Sequence, residues 1–219
     1  MISEKDIKPV LTVMKHEYNK HTKPVVTEIS LQGNPFKVLI STLLSLRTKD
    51  PITLKASLKL FEKAETPETM MALKQKEIEE LIYPVGFYPT KAANIIKICK
   101  ILLEKYDGNV PDDFDAILAL PGVGRKTATL TMLLGFGHKK YICVDSHVHI
   151  ISNRLGWVNT KSPDETEQAL YKALPEKYWN ILNEMMVSYG QNICLSVSPL
   201  CSKCGLNASC PKVGVKHSR

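Results

Sequence analysis

Lys126 stands where a lysine could act as an amine nucleophile. It comes two residues after Gly124, at the expected start of a helix, and the positive end of a helix dipole destabilises a nearby ammonium group. A partly buried amine at this position would be held closer to its neutral, nucleophilic form. Asp145, held in a largely apolar segment, could supply the complementary carboxylate, although an aspartate in this setting is also typical of a helix N-cap.

The residues just before Lys126 could bind phosphate through their backbone. Gly122 and Gly124 are separated only by Val123, and glycines permit a tight turn that leaves backbone N–H groups unshielded. Together with Arg125, these groups would stand at a helix N-terminus, which favours a phosphate oxygen. A helix–hairpin–helix of this kind grips the DNA backbone without reading bases, although a similar glycine turn also joins helices that bind nothing.

Four cysteines near the C-terminus predict a metal site. Cys194, Cys201, Cys204 and Cys210 lie within seventeen residues of each other, and the chain opens with no export signal that would favour disulfides. Spacing alone does not choose between Zn²⁺ and an iron–sulfur cluster, because both accept four thiolates.

The elements that must position these groups are helices. Helix signals recur along the chain, and strand signals are scarce. Asn34-Pro35 and Ser162-Pro163 each place a proline after an N-cap residue, and Ser162 with Glu165 has the pattern of a capping box, the clearest helix start in the chain. A helix that opens near Ser3 carries Ile7, Val10, Leu11 and Met14 on one apolar face. The sequence predicts an all-α protein of roughly ten helices, in which the hairpin joins two of them. The expected helices include residues 90–106, 112–119, 127–134 and 176–189.

Composition excludes several classes of protein. Of the 219 residues, 44% are apolar and 23% are charged, which excludes a disordered chain. The longest nearly apolar stretch, residues 38–46, is far shorter than the roughly 18 residues of a membrane helix. The net charge of +7 weakly favours a polyanionic partner. Glu4 and Asp6 place negative charges where a signal peptide would be basic and a transit peptide would be poor in acidic residues. A cytoplasmic, nucleoid-associated protein is therefore expected.

Taken together, these residues resemble the endonuclease III family of DNA repair glycosylases, within the helix–hairpin–helix superfamily. The resemblance extends from about Pro35 to Pro211 and rests on four signals that follow each other in the family's order. The signals are Leu44–Asp50, Leu120–Ala128, Val144–His147 and the cysteine cassette. The cassette matches the family's [4Fe–4S] loop, and the resemblance therefore implies that the four cysteines hold this cluster rather than zinc.

The resemblance implies two α-helical domains. Residues 24–135 would form a six-helix domain that contains the hairpin, and residues 1–23 and 136–219 would form the discontinuous iron–sulfur cluster domain. Lys126 and Asp145 would then face the cleft between the domains from opposite sides. The protein is expected to act as a monomer and not to associate with a membrane.

The implied reaction is base excision from double-stranded DNA that contains damaged pyrimidines or abasic sites. The damaged nucleotide would be flipped out of the stack, and neutral Lys126 would displace an oxidised pyrimidine from C1′ to form a Schiff base. β-Elimination would then cut the strand on the 3′ side of the lesion. Asp145 would keep the lysine neutral or stabilise cationic character at C1′.

Two residues and one loop depart from the family's usual pattern. Arg47 stands where glutamine is frequent, in the position that fills the gap left by the flipped base, and it resembles the mismatch-glycosylase branch. Phe87 stands where leucine is frequent and could act as an aromatic wedge between base steps or as a core residue. The loop between the first two cysteines contains no Lys or Arg, so Lys203 is the candidate side chain for phosphate contact there.

Three alternatives remain open at this point. Arg47 favours a monofunctional mismatch uracil or thymine glycosylase, whereas Lys126 opposes it, because a reaction that uses water needs no amine there. A non-catalytic DNA-binding module would use only the hairpin and the cluster. A structural protein stabilised by zinc would be colourless, whereas an iron–sulfur protein would absorb at about 400 nm.

Overall fold

The computed structural model describes residues 2–219, and its regular secondary structure is helical. None of these described residues lies in a β-strand, which confirms the predicted all-α class. The α-helices are α1 (Glu4–Tyr18), α2 (Val25–Ser30), α3 (Pro35–Ser45), α4 (Asp50–Lys63), α5 (Pro67–Met71), α6 (Gln75–Ile82), α7 (Tyr88–Lys105), α8 (Phe114–Leu118), α9 (Arg125–Leu130), α10 (Ser146–Arg154), α11 (Pro163–Ala173) and α12 (Trp179–Asn192). A π-helical turn, Thr131–Gly135, continues α9, and 3₁₀ turns span Glu176–Tyr178 and Cys201–Lys203.

The chain divides into two compact units. One unit is Val25–His138, which contains α2 to α9. The other joins the N-terminal residues up to Pro24 with Lys139–Arg219 and contains α1 and α10 to α12. The hairpin belongs to the first of these units and the four cysteines belong to the second.

Helix α3 forms the centre of the unit Val25–His138. Its start is fixed by Asn34, whose side-chain oxygen accepts hydrogen bonds from the backbone N–H groups of Phe36 at 2.9 Å and Lys37 at 3.2 Å. Leu39, Ile40 and other apolar residues of α3 are buried on nearly all sides. Because α3 is enclosed by its neighbours, the segment that follows it is held at a defined place in the unit.

Helices α1 and α12 share the core of the other unit. Ile7 and Met14 of α1 are fully buried with Leu182 and Met186 of α12. This contact confirms the apolar face predicted for α1, and it explains why the N-terminal helix belongs to the same unit as the C-terminal half of the chain.

The predicted helices differ from the observed ones in number and in some details. The structure has twelve α-helices among the described residues, not roughly ten, and the 14-residue helix α4 was not delimited from the sequence. The segment expected as one helix over 176–189 begins as a 3₁₀ turn and continues as α12 to Asn192. The Ser162 side chain caps α11 as predicted, but the Glu165 carboxylate accepts from the backbone N–H of Lys161, so the capping box is incomplete.

Candidate functional site

The hairpin turn between α8 and α9 uses its two glycines differently. Gly122 has a φ of +75°, and a Cβ there would collide with the side-chain amide of Asn94 on α7. Gly124 has an ordinary φ of −103° and is the N-cap of α9, and a Cβ there would meet no atom within 4 Å. Val123 between them is only 8% exposed and anchors the turn in the core. Conformation and packing therefore require a glycine only at position 122.

Lys126 is the second residue of α9. It follows directly on the exposed Arg125, whose guanidinium lies 5.4 Å from the ring centroid of Phe114, the first residue of α8. The Lys126 side chain is partly buried. The amine is thus carried by the first turn of the helix that the hairpin introduces, as expected from the sequence.

Asp145 is the N-cap of α10 in the other unit. Its Oδ1 accepts hydrogen bonds from the backbone N–H groups of His147 at 2.9 Å and Val148 at 3.0 Å, so the capping role considered from the sequence is confirmed. The residue is 8% exposed and follows the buried Val144. The two backbone bonds fix the orientation of the carboxylate, which is a property that a catalytic carboxylate also needs.

Arg47 and Phe87 lie side by side. The Arg47 guanidinium is 5.4 Å from the ring centroid of Phe87, and Phe87 is 61% exposed. An exposed aromatic ring is inconsistent with the core position considered for Phe87 and leaves the ring accessible to a ligand. Arg47 is exposed as well.

The four cysteines line one cavity. The same cavity is lined by Arg154, the last residue of α10. Its guanidinium donates to the Cys194 Sγ at 3.3 Å, to the Leu195 carbonyl at 2.7 Å and to the Ser196 carbonyl at 2.8 Å. One arginine therefore fixes both the first cysteine and the loop that leads away from it.

The cysteines are partly buried, and polar groups lie beside two of the sulfur atoms. The Tyr189 hydroxyl lies 2.9 Å from the Cys204 Sγ. Burial raises the pKa of the Cys194 and Cys210 thiols, and Arg154 partly opposes this at Cys194. Metal ligation requires deprotonated thiols, so a bound metal would supply the positive charge that buried thiolates need. Lys203 is exposed in the 3₁₀ turn between the second and third cysteines.

Two residues near these sites were missed by sequence reasoning. They are Lys91 of α7, which is only 5% exposed, and Arg154, which makes the loop contacts just described. The signal for Lys91 was its register, because it lies on the same helical stripe as the buried Ile95, Ile98 and Leu102. A lysine on an apolar stripe is unusual enough to be noticed.

Comparisons with known proteins agree with this arrangement. The sequence model of the HhH-GPD superfamily of base excision DNA repair proteins matches residues 40–176. Endonuclease III of Thermotoga maritima is 51% identical over 179 residues, which are 82% of this chain and 84% of that protein. The chain is a member of the endonuclease III family.

Membership of the endonuclease III family gives the reaction class. The chain is a base excision repair DNA glycosylase with AP lyase activity, so the resemblance, the fold class and the enzyme class inferred from the sequence are confirmed. The chain spans 48% of the length of the chloroplastic endonuclease III homologues of Arabidopsis thaliana. Among the described residues, no helix is both long and apolar enough to cross a membrane.

Solved structures of related proteins have the same fold. A non-covalent endonuclease III–DNA complex is similar with a TM-score of 0.84 and 36% identity, and the match covers 97% of both chains. A thermostable thymine-DNA glycosylase is similar with a TM-score of 0.78 and 26% identity over 94% of this chain and 95% of that one.

Proposed function

We propose that this endonuclease III family member removes oxidised pyrimidines from double-stranded DNA, with Lys126 as the nucleophile. The observation that carries the proposal is the lysine itself, which stands in the first turn of α9 directly after the hairpin. An amine at this point can form a covalent bond to C1′, which water-using glycosylases do not need. Abasic sites in duplex DNA are the second expected substrate.

The proposed reaction proceeds in two steps. The neutral amine of Lys126 attacks C1′, the bond from C1′ to the base breaks, and the base leaves with the electron pair and takes up a proton. The sugar ring opens to give a Schiff base between C1′ and the lysine nitrogen. Loss of a proton from C2′ then expels the 3′ phosphate by β-elimination and cuts the strand on the 3′ side of the lesion.

Asp145 is proposed as the second catalytic residue. Its carboxylate is fixed by two backbone hydrogen bonds at the start of α10, so it can act without reorganising. In the complex with DNA it would keep Lys126 neutral by accepting its proton, or would stabilise the cationic character that develops at C1′.

The hairpin is proposed to hold the DNA backbone. The backbone N–H groups of Gly122, Val123 and Gly124 and the side chain of Arg125 would contact phosphate oxygens, and this contact fixes the enzyme's register on the duplex without reading its sequence. The support is the open space at Gly124, where a phosphate could approach the backbone closely.

Arg47 and Phe87 are proposed to occupy the duplex where the damaged nucleotide leaves it. The exposed ring of Phe87 would wedge between base steps, and the guanidinium of Arg47 would pair with the base left without a partner, with a preference for guanine. Their proximity supports a shared role, because one deformation of the DNA would bring both side chains into the stack.

A [4Fe–4S] cluster is proposed to be held by Cys194, Cys201, Cys204 and Cys210. The residues fit this group, because all four cysteines line one cavity and are the thiolate ligands such a cluster uses. Among the described residues, no three His, Cys, Asp or Glu side chains converge as the ligands of one metal ion. A cluster does not require such convergence, because each thiolate binds a different iron atom. The group would be structural and would hold Lys203 near phosphate.

The two compact units are proposed to correspond to the two domains expected from the sequence. Val25–His138 would be the domain that contains the hairpin, for which the sequence predicted six helices and the structure has eight, α2 to α9. The remainder of the chain would be the cluster domain. We also propose that the enzyme acts as a monomer, which sedimentation of the purified protein with and without a short duplex would test. Association with the nucleoid stays a prediction from the sequence.

A mismatch uracil or thymine glycosylase is the second candidate. It is favoured by Arg47 and by the similarity to a thymine-DNA glycosylase. Single-turnover reactions on duplexes with thymine glycol, G·U and G·T separate the two candidates. Release of thymine glycol with strand cleavage supports the first proposal, and Lys126→Gln should abolish both products. Release of uracil or thymine without cleavage, undiminished in Lys126→Gln, would support the second.

A further inference from the structure

Two neighbouring turns carry the side chains proposed to enter the DNA. Arg47 lies in the turn after α3, with a φ of 54°, and Phe87 is the N-cap of α7, with a φ of 58°. Both values fall in the left-handed region, where residues other than glycine are uncommon and are held only by their surroundings. Other groups in the unit must therefore hold these two turns in place.

Lys91 joins the first turn to α7. Its ammonium donates to the Leu44 carbonyl at 2.8 Å, to the Leu46 carbonyl at 2.6 Å and to the Thr48 Oγ1 at 3.4 Å. An ammonium has three N–H donors, so all three are used on the residues that flank Arg47. The carbonyls of Leu44 and Leu46 stand at the C-terminal end of α3, where a helix dipole favours a cation.

A second contact joins the same turn to the residue before Phe87. The backbone N–H of Gly86 donates to the Thr48 Oγ1 at 3.1 Å. A Cβ on Gly86 would lie 2.7 Å from the Arg47 carbonyl oxygen, so the two backbones approach each other more closely than any side chain allows. Thr48 thus accepts from both Lys91 and Gly86 and connects the two turns.

Packing alone does not explain a lysine at position 91. The side chain is 5% exposed, and its neighbours on the same stripe of α7 are isoleucine and leucine, so an apolar side chain would fill the space. Burial also lowers the pKa of Lys91 to about 8, which shows that keeping a charge here has an energetic cost. The compensation is the set of three bonds to the turn that carries Arg47.

We propose that Lys91 is a positioning residue that holds Arg47 and Phe87 in the arrangement with which they enter the duplex. The inference rests on the proposed function of these two side chains. Lys91 itself would touch no DNA and would act through the residues on either side of Arg47. Its loss would slow steps that require opening of the base stack and would spare steps that do not.

The test compares Lys91→Met with Lys100→Met. Both variants remove one positive charge from α7, but nine residues turn a helix by about half a revolution, so Lys100 lies on the opposite, exposed face. Two single-turnover rates are measured: base release from a duplex with thymine glycol, and cleavage at an abasic site in a single-stranded oligonucleotide, which has no stack to open. Thr48→Val serves as a second, milder variant should Lys91→Met fold poorly.

We expect Lys91→Met to slow duplex base release about tenfold or more and to leave single-strand cleavage within about twofold of wild type. Thr48→Val should change the same rate by a smaller factor, and Lys100→Met should change neither. The decisive comparison repeats Lys91→Met in an Arg47→Ala/Phe87→Ala background. There it should have almost no further effect, because the side chains it positions are already gone.

Four results would overturn the inference. Lys91→Met could slow both reactions equally, or it could slow duplex release by the same factor with and without Arg47 and Phe87, and either outcome would indicate general structural damage. Wild-type rates in both Lys91→Met and Thr48→Val would show that the bonds position nothing. If the Arg47→Ala/Phe87→Ala background itself released base at the wild-type rate, the proposed DNA role of that pair would fail first.

Discussion

Substitution by alanine should affect the stability of the protein at one of the two hairpin glycines and not at the other. In Gly122→Ala the new methyl group must accept a φ of +75° and must displace the Asn94 side chain, whereas in Gly124→Ala it enters open space at an ordinary φ of −103°. Both substitutions add one methyl group to the same turn. A difference between them therefore reports the local geometry.

The expected magnitudes follow from these contacts. The left-handed conformation costs alanine about 1 to 2 kcal/mol, and moving the Asn94 amide costs about 1 kcal/mol more. Gly122→Ala should therefore lower the free energy of unfolding by about 2 to 3 kcal/mol, which corresponds to a fall in Tm of about 4 to 12 °C for a chain of this length. Gly124→Ala should change stability by no more than about 0.5 kcal/mol.

For DNA affinity, unlike for stability, Gly124→Ala should have a large effect. A methyl group at position 124 would stand between the backbone N–H groups and a phosphate oxygen, and losing one hydrogen bond to a charged group costs about 1.5 kcal/mol, or roughly tenfold in affinity. Gly124→Ala should thus bind a duplex with a tetrahydrofuran abasic analogue about tenfold more weakly while melting like wild type. Thermal melting and fluorescence anisotropy at one fixed salt concentration measure the two quantities.

Two results would contradict these expectations. If Gly124→Ala binds the duplex as tightly as wild type, the backbone of the hairpin does not approach phosphate, and its glycine has no role in DNA binding. If Gly122→Ala melts at the wild-type temperature, the turn does not need the left-handed conformation, and the account of its geometry is wrong.

Asp145→Asn should retain the cap on α10 and unfold like wild type, whereas Asp145→Ala should lower the free energy of unfolding by about 1 kcal/mol. Both variants should fail to release the base. Base release by Asp145→Asn would show that Asp145 serves only as the cap. Arg154→Met should lower the iron content per chain and speed the loss of absorbance at about 400 nm, because the Cys194 loop loses the hydrogen bonds that hold it. An unchanged iron content would contradict this. The pKa of Lys91 is lowered from 10.5 to about 8, so between these values the unfolded chain binds this proton more tightly and the free energy of unfolding rises with pH. Relative to Lys91→Met, wild type should gain on the order of 2 kcal/mol between pH 7 and pH 10, and parallel pH curves of the two proteins would contradict this.

Local signals in the sequence predicted the elements that carry the site. The Asn34 cap, the glycine turn before α9 and the apolar face of α1 each follow from chemistry within a few residues, and the structure confirms all three. The aspartate at the start of α10 was recognised on the same basis, because its capping bonds come from backbone N–H groups only two and three residues further along the chain.

Contacts between distant segments were not accessible from the sequence. The bonds from Lys91 to the turn around Arg47 span more than forty residues, and no local pattern states which carbonyls a buried ammonium will meet. The same holds for Arg154, whose partners at Cys194 and beyond are about forty residues away. The exposure of Phe87 goes with the left-handed conformation at its own position. That conformation is not expected from the sequence, because the residue is not a glycine.

Borohydride trapping shows directly whether Lys126 forms a Schiff base with the DNA. Wild-type protein is incubated with a duplex that carries thymine glycol, the Schiff base is reduced to a stable amine, and the adducted peptide is identified by mass spectrometry, with Lys126→Ala as the control. We expect a covalent protein–DNA adduct at Lys126 that is absent from the variant. Release of the base without any adduct, or an adduct that persists at full yield in Lys126→Ala, would contradict it.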